Sequence, residues 1–133
     1  MRNSKRKWES KVFQVSLTSS AEKDFKKLIK KNKEIQELIF EKFSELSNLD
    51  IVSSLKSDEV KIITGLSPQF ALKLKQSGYM PNVYEYRKFP SKYPLRIIFI
   101  ASNNQIIILW INHHKEMKRK FLEDITNRIN RAL

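Results

Sequence analysis

Leu95-Arg96-Ile97-Ile98-Phe99-Ile100 and Ile106-Ile107-Ile108-Leu109-Trp110-Ile111 form the stretch whose reading decides the fold. Leu95, Ile97 and Phe99 recur with period two, which lays them on one face of a strand. The second segment is apolar at every position, so both its faces are expected to be covered and the strand to be central. Between the two, Ser102-Asn103-Asn104-Gln105 supplies turn residues. A hairpin is therefore expected, and its strands must be antiparallel.

Working outward, Val83–Phe89 is bracketed by Pro81 and Pro90 and reads as another strand. Downstream, Met117, Phe121, Ile125 and Ile129 repeat at four-residue spacing, which predicts a last helix from about Lys115. Upstream, Val12–Leu17 alternates, with Phe13, Val15 and Leu17 on one face, as in a half-buried strand. Ser19-Ser20-Ala21-Glu22 has the form of a capping box. It opens a helix with an apolar stripe of Ala21, Phe25, Leu28 and Ile29. After a short break at Asn32-Lys33, Ile35, Leu38, Ile39, Phe43 and Leu46 carry a second helix to about Ser47. Two helices so closely joined form an antiparallel hairpin.

Residues 48–72 carry weaker signals. Asp58–Thr64 reads as a short helix, with Gly65 as its cap and Pro68 beyond. From Ala71 onward strand signals dominate, which would place Lys73 and Lys75 on one face of a strand. The expected fold is α+β: a twisted antiparallel sheet with the N-terminal helical hairpin packed on one face and a C-terminal helix. One domain is expected over residues 12–133, preceded by a flexible basic arm, residues 1–11, around Trp8.

Composition narrows the function. The chain has 133 residues, of which 41% are hydrophobic, enough for one core but too few residues for two ordinary domains. There is no cysteine, which excludes disulfides, thiol nucleophiles and cysteine-based zinc sites. Only two glycines, Gly65 and Gly78, argue against a glycine-rich phosphate loop. No apolar run approaches bilayer length and no signal peptide is visible, so a cytoplasmic protein is expected. The net charge of +12 points to an anionic partner. It is unevenly spread, with residues 34–72 net acidic and the flanking segments strongly basic.

The order of these segments resembles the RelE/ParE superfamily of type II toxin–antitoxin toxins, over about residues 12–121. The likeness lies in the strand and helical hairpin of Val12–Ser47, in Leu72-Lys73-Leu74-Lys75, and in Val83-Tyr84-Glu85-Tyr86-Arg87. It continues through Tyr93 with Arg96-Ile97-Ile98-Phe99, and through Ile106–Ile111 running into Asn112-His113-His114-Lys115-Glu116. The chain departs from the pattern with extra residues near 48–70 and at both ends. Glu85 stands where many relatives carry a basic residue, and Lys118–Lys120 replace a tyrosine that often follows the basic end.

The resemblance implies a ribosome-dependent mRNA endonuclease that works without metal or cofactor. The 2′-OH of one nucleotide would attack its own phosphate, which needs a base, cationic stabilisation and an acid. Catalytic candidates are His113, His114, Arg96, Arg87, Lys73 and Lys75. The arginines would fork onto phosphate oxygens, and the histidines, with an unperturbed pKa of about 6.5, suit both proton roles. Consecutive strand residues point oppositely, so one histidine is expected in the cleft; His114 is favoured for its more polar flank. Lys88, Lys92, Tyr93, Lys115, Lys118 and Arg119 would contact RNA. Two adjacent histidines without a third or a cysteine make a poor zinc site. The implied partners are an acidic antitoxin and the ribosome with its mRNA; no membrane is expected, nor a homo-oligomer without antitoxin. Arg96 pairing structurally with Glu85 stays open. So do two other functions: a ParE-like inhibitor of DNA gyrase, and a noncatalytic RNA-binding domain.

Overall fold

The computed structural model describes residues 13–133, and the basic arm expected at residues 1–11 lies outside the described residues. The elements are β1 (Gln14–Leu17), α1 (Ser19–Lys31), α2 (Lys33–Ser47), α3 (Ile51–Lys56), β2 (Val60–Ile62), α4 (Pro68–Gln76), β3 (Tyr84–Tyr86), β4 (Leu95–Ala101), β5 (Gln105–His113), α5 (His114–Met117) and α6 (Phe121–Ala132). They build an α+β fold around one five-stranded sheet of order β1-β5-β4-β3-β2. No helix among the described residues is long and apolar enough to cross a membrane.

The β4–β5 hairpin forms as its turn residues require. Ser102 Oγ accepts from the Gln105 amide at 3.1 Å, and the Ser102 amide donates to the Gln105 carbonyl at 2.8 Å. Ile98 pairs with Trp110 and Phe99 with Ile108, so Leu109 is an extra residue in β5. This bulge breaks the alternation and turns two consecutive large side chains, Leu109 and Trp110, to the same face. β5 is central, with β4 on one side and β1 on the other.

The sheet is mixed rather than wholly antiparallel, because β1 runs parallel to β5. Tight turns dictate antiparallel neighbours only between strands close in sequence. Most of the chain separates β1 from β5, so no local turn sets their relative sense.

Helices cover both faces, the N-terminal hairpin one and the later helices the other. On the first face, Ala21 and Leu28 of α1 and Ile35, Ile39 and Leu46 of α2 pack on Leu95, Ile97, Phe99, Ile106, Ile108 and Ile111. On the second, Leu74 of α4, Met117 of α5 and Ile125 and Ile129 of α6 pack on Ile98, Ile100, Leu109 and Trp110. Strands apolar on both faces need this second cover. The helical hairpin itself is as expected. Its first cap is Thr18, one residue ahead of the capping-box reading, with Oγ1 accepting from the Ala21 amide at 3.1 Å. A single extended residue, Asn32, ends α1 and caps α2.

Residues 58–76 depart most from expectation. Asp58 has a positive φ of 64°, which stops helical propagation and turns the chain into β2, so Asp58–Thr64 is not a helix. The segment with Lys73 and Lys75 is helical, not a strand. Ser67 caps α4, Pro68 occupies its first turn, and Phe70 and Leu74 face inward one turn apart while Leu72 is 58% exposed. The helix closes in a Schellman motif: the Tyr79 amide donates to the Leu74 carbonyl at 2.8 Å, and the Gly78 amide to the Lys75 carbonyl at 3.1 Å. Gly78 sits at φ +90°, which glycine tolerates without a steric penalty.

Candidate functional site

One end of the sheet gathers polar side chains where the strands run out of apolar residues. Glu85 lies on β3 opposite Ile98, and one step past the last ladder pair Arg87 falls opposite Arg96 of β4. On the other side of Arg96 stands Asn112 of β5. His114 opens α5 immediately afterwards, its amide donating to the Pro94 carbonyl at 2.9 Å. The row Arg87–Arg96–Asn112 therefore crosses three strands, on the same face as Ile98 and Trp110.

Two guanidiniums side by side repel unless a counter-charge is present. Glu85 partly supplies it, with Oε1 3.7 Å from Arg87 Nε. It makes no ion pair with Arg96, whose half-buried guanidinium, among the described residues, bonds only the Leu95 carbonyl, at 2.9 Å from Nη1. Arg96 Nε is buried without a partner among the described residues. Burial lowers the Arg96 pKa, and Arg87 lowers it further while Glu85 opposes both. An under-satisfied cation beside another cation is an arrangement that an anion completes.

His114 belongs to the same group. Burial pushes its pKa below the usual 6.5; Arg96, Lys118 and Arg87 add to that, and Glu85 counteracts. The imidazole is thus sensitive to any charge entering between these side chains.

The structure brings together four of the expected residues: Arg87, Arg96, His114 and Lys118. Lys115 and Arg119 flank this group in sequence and are exposed. The remaining six lie elsewhere. Lys73 donates to Asn130 Oδ1 of α6 at 3.0 Å, and Lys75, two residues on along a helix, points another way and is exposed. His113 leaves the strand on the other face and lines a cleft against α1. Lys88 borders a cleft with Glu45, Glu59 and Tyr86. Lys92 is 3.6 Å from Glu34 and 5.3 Å from the Tyr93 ring centroid, while the Tyr93 hydroxyl accepts from Asn32 at 3.1 Å. These last two pin the β3–β4 connection to the helical hairpin.

Glu85 is a member of the group that sequence reasoning did not assign to it; Asn112 lies opposite Arg96 in the ladder and also borders the cleft that His113 lines. Glu85 was legible as a strand residue of the same parity as Arg87. Its role depended on knowing which strand lies beside β3. Among the described residues, no three His, Asp or Glu side chains converge as a metal site would require. Compared with family models, curated proteins and solved structures, the chain matches none.

Proposed function

We propose that this chain is a RelE-type toxin, a metal-independent endoribonuclease that cuts mRNA on the ribosome and is held in check by an acidic antitoxin. The observation that carries the reading is the meeting of Glu85, Arg87, Arg96 and His114 at one sheet end, with Arg96 under-satisfied. These groups match the three needs of phosphodiester transfer. Glu85 is the carboxylate base and takes the 2′-OH proton. The 2′-oxygen bonds to phosphorus as the P–O5′ bond breaks. Arg87 and Arg96 stabilise the extra negative charge on the phosphoryl oxygens. His114, protonated once the phosphate has arrived, donates to the leaving 5′-oxygen. The products are a 2′,3′-cyclic phosphate and a 5′-hydroxyl. Lys118 adds charge that draws RNA in.

The ribosome requirement follows from positioning, since four side chains on an open sheet end cannot alone hold a 2′-OH in line with its phosphate. The test is incubation with translating ribosomes and mRNA. We expect cleavage leaving 5′-hydroxyl ends, reduced about 10²-fold or more in His114→Ala and in Glu85→Gln. Intact mRNA, together with trapped gyrase–DNA complexes, would overturn the reading in favour of gyrase poisoning.

A further inference from the structure

His113 and His114 are adjacent, yet they join different groups: His114 lies among Arg96, Glu85 and Lys118, and His113 lines a cleft against α1. The His114 side is the candidate catalytic group. The His113 side opens onto a separate cleft of about 340 Å³ between α1 and the end of β5. This size suits one nucleotide-sized group.

The cleft exists because β1 is short. β1 ends opposite Ile108, and beyond that point the edge of β5 has no partner strand among the described residues. Asp24 and Arg128 close its first part. Arg128 Nη1 donates to the Leu109 carbonyl at 2.7 Å, and Asp24 Oδ2 accepts from the Ile111 amide at 3.2 Å. The two side chains also pair with each other, at 2.7 and 3.2 Å. Asp24 lines the cleft, but Arg128 already balances its charge.

What remains is cationic on one side. Lys27 and Lys31 stand one helical turn apart on α1, so both reach the same space and repel each other until an anion lies between them. His113 faces them from β5. The other polar lining groups suit sugar hydroxyls: the Glu116 carboxylate at the start of α5 is an acceptor, and the Asn112 amide, its Oδ1 already accepting from the His113 amide at 2.8 Å, offers its Nδ2 as a donor. Glu116 is exposed and forms no ion pair with another described residue. Cations for a phosphate, beside a carboxylate and an amide for sugar hydroxyls, are the chemistry of a ribonucleotide.

We infer that the α1–β5 cleft is a second nucleotide site, in which Lys27, Lys31 and His113 hold a phosphate ester while Asn112 and Glu116 take ribose hydroxyls. It goes beyond the cleavage chemistry and does not depend on it. Its ligand is either a flanking nucleotide of an RNA chain or a free ribonucleotide, and the two are separable.

The experiment is amide chemical-shift mapping of the full chain carrying His114→Ala, titrated separately with inorganic phosphate, AMP, 2′-deoxy-AMP and a uridine trinucleotide. Perturbations at Lys27, Lys31, Asn112 and His113 are expected, with AMP binding tighter than its 2′-deoxy analogue. Lys27→Ala/Lys31→Ala, both exposed and safe for folding, is expected to weaken AMP binding about tenfold or more. Glu116→Gln should erase the preference for AMP over 2′-deoxy-AMP. A trinucleotide binding tighter than AMP identifies the site as part of an RNA track; the reverse identifies a free nucleotide. Shifts confined to Arg96 and its neighbours, or AMP affinity within about twofold of the parent in the double-lysine variant, would overturn the inference. No arm involves cleavage, so failure here leaves the nuclease proposal untouched, and failure of cleavage leaves this site standing.

Discussion

At the residue scale, Arg96 and His114 owe their chemistry to being half out of water. A guanidinium normally makes several charge-assisted hydrogen bonds, whereas Arg96 has one among the described residues, to its neighbour's carbonyl. Its Nε is buried and has no hydrogen-bond partner among the described residues. His114 carries a lowered pKa for the same reason, burial first and Arg96 second. The sign then follows for activity. In the proposed mechanism His114 is the acid and must be protonated, so kcat/KM is expected to fall as pH rises through a pKa below the ordinary ~6.5. Arg96→Ala removes the second-largest depressing influence and should raise the His114 pKa, which a histidine NMR titration reads directly.

A second polar cluster has a structural role. The Tyr86 hydroxyl donates to Glu45 Oε1, and Lys42 Nζ sits 3.3 Å from the same carboxylate and 5.6 Å from the Phe89 ring centroid. Burial alone would raise the Glu45 pKa, but the Tyr86 and Lys42 hydrogen bonds outweigh it and hold it low. Burial and the bond to Glu45 push the Tyr86 phenol up, so it stays a donor. A depressed carboxyl pKa stabilises the fold above the unfolded value and loses that contribution as pH falls through the folded one. Tyr86→Phe is expected to cost about 1.5–3 kcal/mol, the range for a hydrogen bond to a charged group, in urea unfolding at neutral pH. Below the Glu45 pKa that difference should shrink.

At the element scale, the Asp24–Arg128 pair is the joint between layers. α1 and α6 lie on opposite faces of the sheet, and these side chains meet across the edge of β5 beyond the end of β1. Arg128 also stacks on Trp110, 4.8 Å from the ring centroid. Arg128→Ala strands the mostly buried Asp24 carboxylate and leaves the Leu109 carbonyl unpaired. About 3 kcal/mol is expected, measured by denaturant unfolding. Asp24→Asn keeps an acceptor for the Ile111 amide and should cost less. At the other end of the second layer, Gly78→Ala meets open space, since no atom lies within 4 Å of the added Cβ. The cost there is backbone strain alone, about 1–2 kcal/mol.

At the scale of the whole molecule, the +12 charge divides among separate surfaces. Part surrounds Arg87, Arg96 and Lys118; another part lies along α1 beside His113. Each cation that neutralises an RNA phosphate releases counterions. Single-strand RNA affinity is therefore expected to fall with salt, and Arg96→Ala should flatten the log–log slope by about 0.7. A mere surface charge, such as Lys75, should leave that slope almost unchanged.

The periodicity of Leu95–Ile100, Ile106–Ile111 and Ala21–Leu46 by itself determined the hairpin, the central strand and the helical pair, because these depend on neighbours a few residues apart. It did not mark Arg87, Arg96 and His114; the resemblance to the RelE/ParE pattern and the chemistry of their side chains did. It failed over residues 58–76, where Leu-Lys-Leu-Lys satisfies period two, while a serine cap, a proline in the first turn and inward-facing Phe70 and Leu74 make a helix. Other features belong to the tertiary structure alone: the parallel sense of β1, the meeting of Glu85 with Arg87 beside Arg96, and the cleft against α1 that His113 lines. Each depends on residues distant in sequence being brought side by side, and local periodicity carries no information about which distant strand becomes the neighbour.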